Sequence, residues 1–277
     1  MDEGEDVAAD GDDGPSADPV IEGDVTDEAD IPTDHPRYES LLTRYRIEAG
    51  VDAGITSRQG LIAQGRGEAF DYLLGERTLP SADAAARAAA ALLLLARHPV
   101  LSVNGNVAAL VPGEIAELAA VVDADVEVNL FNRTDERVNA IADHLREHGV
   151  SDVKGLKADA RIPGLSHERA KVDADGIADA DVVVVPLEDG DRAAALKAAG
   201  KREIVIDLNP LTRSAQEATI PIVDNVIRAV PNITRHAEEL RDASEAKLQR
   251  IVREFDREAA LAAAEEAVRT GAADRTR

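Results

Sequence analysis

Runs rich in β-branched residues constrain this chain most: Val182-Val183-Val184-Val185, Ile204-Val205-Ile206 and Ile220-Pro221-Ile222-Val223. Such runs suit buried strands, and each of these ends abruptly in polar residues. The second leads into Asp207-Leu208-Asn209-Pro210-Leu211-Thr212-Arg213-Ser214, which carries acid, amide, guanidinium and hydroxyl groups. Two further strand-like stretches, Leu101 to Asn106 and Val126 to Arg133, end the same way. Helical patterns lie between them at Pro112 to Val122, Thr134 to His148 and Asp191 to Ala199. This alternation predicts an α/β fold, a Rossmann-like parallel sheet with helices on both faces. Ligands bind beyond the carboxyl ends of such sheets, so the five polar edges predict one long crevice.

Helices flank this region. Residues 34–98 form a helical N-terminal part. Asp34 is the expected N-cap of a helix carrying Leu41, Leu42, Tyr45 and Ile47, and Gly50 and Gly54 stop it. Residues 55–75 hold four glycines, and Gly65 and Gly67 flank Arg66. Glycine there lets backbone approach a ligand and lowers helix propensity, so a function is the expected reason for it. A third helix is expected from an N-cap at Ser81 to Arg97, closed by Pro99. After residue 235 a C-terminal helical extension, 236–277, is expected. Its helix starts near Val226 and breaks around Asn232, and Leu240, Leu248, Ile251, Val252, Phe255 and Leu261 form one long apolar stripe. Residues 1–34 hold fourteen acids and no bases, and the segment 1–33 reads as a disordered tail.

The net charge of −23, from 54 acids and 31 bases, disfavours nucleic acid and anionic membranes as partners. With no cysteine there is no disulfide or thiolate chemistry, which fits the cytoplasm. Neither a signal peptide nor a membrane span is expected, so the protein should be soluble. Histidines 35, 98, 144, 148, 167 and 236 lack metal-ligand spacing and are expected to be solvated. No P-loop occurs.

Two readings of the polar edges start from the residues alone. Val103-Asn104-Gly105-Asn106-Val107, with Asn129-Leu130-Phe131-Asn132-Arg133-Thr134, mimics an NADP site, although the fingerprint wants three spaced glycines and only Gly105 is present. The other reading is a site for an anionic nucleotide, held by arginines beside glycines. Bland alternatives stand beside it: Arg44 as an ion pair with Glu48, Asp207 to Ser214 as a turn stiffened by Pro210, Asn104-Gly105 as a turn, and Asp191, Asp224 or Asn225 as helix caps. A non-catalytic nucleotide-binding protein remains a third possibility.

A set of blocks sharpens this. Asp34-His35-Pro36-Arg37-Tyr38, Leu41-Leu42-Thr43-Arg44, Gly65 to Tyr72, Ser102 to Pro112, Asp159 to Leu165, Pro186 to Arg192 and Asp207 to Arg213 resemble, in order, the archaeal 4-phosphopantoate/β-alanine ligase family, or phosphopantothenate synthetases. The resemblance covers residues 34 to about 235 and leaves the tail and the C-terminal helix outside. It implies a Rossmann-like homodimer that joins 4-phosphopantoate to β-alanine in coenzyme A biosynthesis. ATP, with Mg²⁺, is converted to AMP and pyrophosphate through an acyl adenylate. It further implies that Arg44, Arg66, Asp207, Leu208, Asn209, Arg213, Ser214, Asp224, Asn225 and Val226 bind ATP. Asn104, Asn106, Asp189, Asp191 and Arg192 would serve the other substrates, with Arg66 and Asn104 as the catalytic candidates.

The acidic, lysine-poor composition also resembles that of salt-loving archaeal proteins. At 1 M salt the Debye length falls to about 3 Å, which screens carboxylate repulsion. The melting temperature should therefore rise between dilute buffer and molar potassium chloride, and a flat or falling melting curve would contradict this.

Overall fold

The computed structural model describes residue 28, residues 31–186 and residues 190–271. Most of the expected disordered tail, and Asp189, lie outside the described residues. Six strands build one parallel sheet: β1 (Pro99–Val103), β2 (Asp125–Val128), β3 (Val153–Lys154), β6 (Val182–Pro186), β7 (Arg202–Asp207) and β8 (Ile220–Val223). Their order is β3-β2-β1-β6-β7-β8, so the direction of growth reverses between β1 and β6. Two short strands, β4 (Ala160–Arg161) and β5 (Lys171–Val172), form a separate antiparallel pair.

Alternation along the strands divides the core. Leu101, Val103, Val126, Val128, Val184, Ile204, Ile206 and Ile222 join the larger apolar cluster, while Val100, Val183, Val185 and Val205 join a smaller one. Helices α3 (Pro80–Leu94), α5 (Pro112–Val122), α6 (Asp135–Glu147) and α9 (Val226–Leu240) contribute to the larger. Leu196 of α7 (Gly190–Ala198) packs with Ile162, Val172 and Ile177 in the smaller. Both faces of the sheet are thus buried, which explains why its central strands read as continuous apolar runs.

Helix boundaries depart from the sequence expectations for local reasons. Helix α1 (Tyr38–Asp52) begins after Asp34, because the Glu76 carboxylate accepts hydrogen bonds from the Glu39 and Ser40 N–H groups, each at 3.0 Å. Helix α3 starts at Pro80, one residue before Ser81, since proline suits a first helical position. It stops at Leu94, short of Arg97, and the Arg97 and His98 N–H groups donate to Asp181 instead, while Pro99 opens β1.

No break occurs at Asn232. Helix α9 continues through Pro231, held by its buried face of Val230, Ile233, Ala237 and Leu240. The expected long terminal helix is divided into α9, α10 (Glu245–Glu254) and α11 (Arg257–Thr270), because Ser244 and Asp256 cap new helices through Lys247 N and Ala259 N. The residues of the expected stripe do pack on the main core. Three histidines are not solvated: His236 is buried beside Asp83, His98 lies between Asp125 and Asp179, and His167 has both ring nitrogens buried, its ring 5.5 Å from that of Phe131. Among the described residues, no helix is long and apolar enough to cross a membrane.

Glu127 on β2 is fully buried and accepts hydrogen bonds from the Asp173 and Ile177 N–H groups, at 3.1 and 2.6 Å. Burial outweighs those bonds and pushes its carboxyl up to about 7. A carboxyl raised on folding stabilises most below its unfolded value and loses that contribution as pH rises through its folded one. Between pH 5 and 8 the native protein should thus lose stability on the order of 3 kcal/mol through this group. Urea unfolding of Glu127→Gln should show a flatter pH dependence over that range; equal slopes would acquit Glu127.

Candidate active site

At the carboxyl edge of the sheet, beside the reversal point, β1 passes into the short helix α4 (Gly105–Leu110). Asn104 caps α4: its Oδ1 accepts from the Asn106 and Val107 N–H groups, at 3.0 and 3.1 Å, and its Nδ2 donates to the Pro186 carbonyl at 3.0 Å. One side chain thereby ties together the ends of β1 and β6. Asn106 Nδ2 donates to the Gly60 carbonyl at 3.0 Å and so fixes α2 (Arg58–Leu74) against α4. The approach requires glycine on both sides. A Cβ at Gly60 would lie 2.3 Å from Asn106 Oδ1, and one at Gly105 would lie 2.4 Å from the Ile55 carbonyl and 2.6 Å from the Arg137 guanidinium.

A hollow of about 240 Å³ opens above this junction. Its lining includes Arg66, Arg137 and Arg169, the amides of Gln59, Asn104, Asn106 and Asn132, and Ser57 and Phe131, and no carboxylate among the described residues. In a chain of net charge −23, that is a strong local inversion of sign. Arg137 donates to the Ile55 and Asn132 carbonyls at 3.1 Å each, and burial draws its guanidinium below its usual value. A half-buried cation held only by neutral groups is stabilised by an incoming anion. Arg66 is exposed and makes no hydrogen bond or ion pair among the described residues.

Arg66 also borders a second hollow of about 380 Å³, lined by Ala69, Phe70 and Leu73 of α2, the turn residues Asp207, Leu208, Asn209, Pro210 and Thr212, and Val268 of α11. This one is mainly apolar. Its turn is held from within: Asp207 accepts from Asn209 N at 3.1 Å, Thr212 Oγ1 at 2.7 Å and Ser214 Oγ at 3.0 Å. Thr212 in turn caps α8 (Arg213–Glu217) through Ala215 N. The stiffened turn and the ligand-lining loop are thus the same residues.

Other expected site residues are dispersed. Arg44 pairs with Glu68, not Glu48, and lines neither hollow. Arg213 and Asp191 form an exposed pair at 2.8 Å over Gly190. Arg192 is buried and donates to Ser102 Oγ at 3.0 Å. Asp224, Asn225 and Val226 are buried away from both hollows. Asn225 caps α9 and donates to Asp71. Gly67 is explained by packing, since its Cβ would sit 3.2 Å from Asn225 Nδ2, whereas Gly65 faces open space. Arg133, which an NADP site needs, donates to the Gly155 carbonyl at 2.7 Å. Among the described residues, no cluster of three or more acidic or histidine side chains could hold a metal ion.

The sequence reading missed Arg137, Arg169, Leu73 and Val268. Arg137 carried a signal, three residues after the expected helix start at Thr134. Leu73 stands two turns after Arg66 on α2, whereas Arg169 and Val268 are brought in only by tertiary packing.

A family model for phosphopantothenate/pantothenate synthetase matches residues 81–271. The chain belongs to that family. The match runs through α10 and α11, so the C-terminal helices expected to lie outside the resemblance fall inside it. Among curated relatives, a 4-phosphopantoate–β-alanine ligase of Thermococcus onnurineus is 58% identical over 82% of this chain and 87% of its own. The ligase of the same name from Thermococcus kodakarensis is 56% identical over the same shares, and that of Methanosarcina mazei is 54% identical over 85% of this chain and 92% of its own.

Asp224 belongs to a buried network centred on Arg228, which also donates to Asp71 and Glu39. Desolvation pushes Asp71, Asp224 and Glu39 up, and the guanidinium counteracts it. Removing one partner of such a cluster strands buried charge at a cost of about 3–5 kcal/mol. Arg228→Ala should lose stability of that order in urea unfolding, and a loss below about 1 kcal/mol would show that the network contributes little.

Proposed function

We propose that this chain joins 4-phosphopantoate to β-alanine at the expense of ATP, giving 4'-phosphopantothenate, AMP and pyrophosphate in coenzyme A biosynthesis. The observation that carries the reading is the pair of hollows sharing Arg66: one guanidinium-rich, with no carboxylate among the described residues of its lining, the other mainly apolar. The ligase names of relatives more than 50% identical point the same way. The apolar hollow suits the adenosine end of ATP. The basic one suits the phosphomonoester of 4-phosphopantoate, with Arg137 and Arg169 as its cations. Arg66 then lies where the substrate carboxylate meets the α-phosphate.

A carboxylate is a poor acyl donor, because oxide is a poor leaving group. Attack of its oxygen on the α-phosphate forms an O–P bond and breaks the bond to the β-phosphate, releasing pyrophosphate. The deprotonated amine of β-alanine then attacks the acyl carbon, forming the amide as the bond to AMP breaks. Guanidiniums lower the repulsion between two anions that must approach each other. Mg²⁺ would ride on the triphosphate, since no metal cage occurs among the described residues, and would neutralise charge there.

Arg44 would have to leave Glu68 to reach a phosphate, and Arg213 would have to leave Asp191. Asn104 acts here as a positioning residue, holding the β1 and β6 ends. The proposed homodimer is supported by apolar residues exposed on α2, Leu61, Ile62 and Tyr72. The absence of cysteine supports a cytoplasmic setting, and the excess of acids supports a salt-adapted one.

Pyrophosphate release in high salt, with ATP, 4-phosphopantoate and β-alanine all present, tests the reaction. Arg66→Ala should cut kcat/KM by roughly 10²–10³, and Arg137→Ala should raise KM for 4-phosphopantoate more than KM for ATP. Wild-type protein that binds ATP yet releases no pyrophosphate would leave a nucleotide-binding protein and overturn the ligase.

A further inference from the structure

The apolar hollow has one wall that no functional residue named so far supplies. Val268 lies on α11, some sixty residues after Leu208, and lines the same space as Leu208 of the turn and Leu73 of α2. We propose that Val268 and Leu73 form the jaws that grip the nucleoside base of ATP, and that α11 is a strap setting the width of that slot. This rests on the ligase reading above and adds to it the residue that decides how the base is held.

Three observations carry it. First, the wall is of the right chemistry: Ala69, Phe70, Leu73, Leu208 and Val268 offer a mainly apolar surface, and the cation Arg66 enters only at the border with the other hollow. A flat heteroaromatic base gains from burial between apolar side chains, while the phosphates extend toward the guanidiniums. Secondly, part of this surface is uncovered in the chain by itself, with Leu73 40% exposed. Thirdly, α11 is fixed on both sides of the slot. At its start, Arg257 donates to the Gln216 carbonyl, and Gln216 Nε2 donates at 2.7 Å to the carbonyl of Pro210, itself part of the lining. At its end, Gly271 packs so closely on α2 that a Cβ there would lie 2.6 Å from the Leu73 carbonyl and 3.0 Å from Leu74 Cδ2. Between these points Leu261 and Ala264 are buried. The helix therefore bridges the turn and α2, and Val268 is the residue it contributes to the slot.

The test uses the full chain, Val268→Phe to fill the slot and Val268→Ala to widen it. Steady-state pyrophosphate release gives separate KM values for ATP and 4-phosphopantoate, and calorimetry gives the Kd for ATP. Val268→Phe should raise both the KM and the Kd for ATP about tenfold or more, equivalent to about 1.4 kcal/mol, with the KM for 4-phosphopantoate within about twofold of wild type. Val268→Ala should raise them by a smaller factor, roughly threefold, through lost apolar contact. If both variants melt like wild type and bind ATP as tightly, the slot is not where the base sits and the proposal falls. An equal rise in both KM values would also overturn it, since that marks a general distortion. The ligase reading is judged separately, by pyrophosphate release from the wild-type protein.

Discussion

Coulomb attraction in a chain with 54 acids and 31 bases governs where its guanidiniums come to rest, and the rest of the structure follows from the exceptions. Most arginines near a carboxylate take it: Arg37 and Arg44 share Glu68, Arg213 takes Asp191, and Arg228 gathers three acids. Arg137 instead donates to the Ile55 and Asn132 carbonyls, and the Arg66 side chain has no ion pair among the described residues. With no carboxylate among the described residues of its lining, one hollow of so acidic a protein carries a local positive field that suits an incoming anion. Distance from acids, more than the presence of arginine, marks the site.

Helix α2 connects that site to the core. One side of it is anchored: Asp71 to Arg228, Gly67 against Asn225, and Gly60 against Asn106. The other side presents Arg66, Ala69 and Leu73 to the two hollows. The Arg228 network therefore has an effect beyond stability, since it fixes the rotation of the helix that delivers Arg66. Buried ion clusters often contribute little net stability compared with apolar packing, but they specify geometry closely. Asp224 and Asn225, buried and outside the linings of both hollows, belong to this scaffold.

The sheet was legible because strands buried on both faces leave unmistakable β-branched runs, such as Val182 to Val185. Asp207 to Thr212 was legible as well, since a polar cluster right after such a run has only the carboxyl edge to occupy. Helix ends were less so. The cap of α1 comes from Glu76, more than thirty residues away, and the break expected at Asn232 is overridden by the buried face of Val230 and Ile233. The resemblance implied ligand roles for Arg213 and Arg192, yet one pairs with Asp191 and the other is buried against Ser102. Arg169 and Val268 gave no local signal, because the β4–β5 excursion and α11 reach the site only through tertiary packing.

Asp207 poses the sharpest electrostatic question, a carboxylate placed on the wall of the mainly apolar hollow that the cation Arg66 also borders. Its surroundings supply the answer. Three donors, Asn209 N, Thr212 Oγ1 and Ser214 Oγ, converge on its two oxygens and draw its charge into the turn. A carboxylate solvated in this way by fixed dipoles repels a phosphate less than a bare one does, and it needs no reorganisation when the ligand arrives. The same three bonds hold Leu208 and Asn209 in place on the wall. Replacing Asp207 with a neutral residue would remove a negative charge beside the hollow but would also release the three bonds that hold the loop, so the acid at this position is the keystone of a preformed wall.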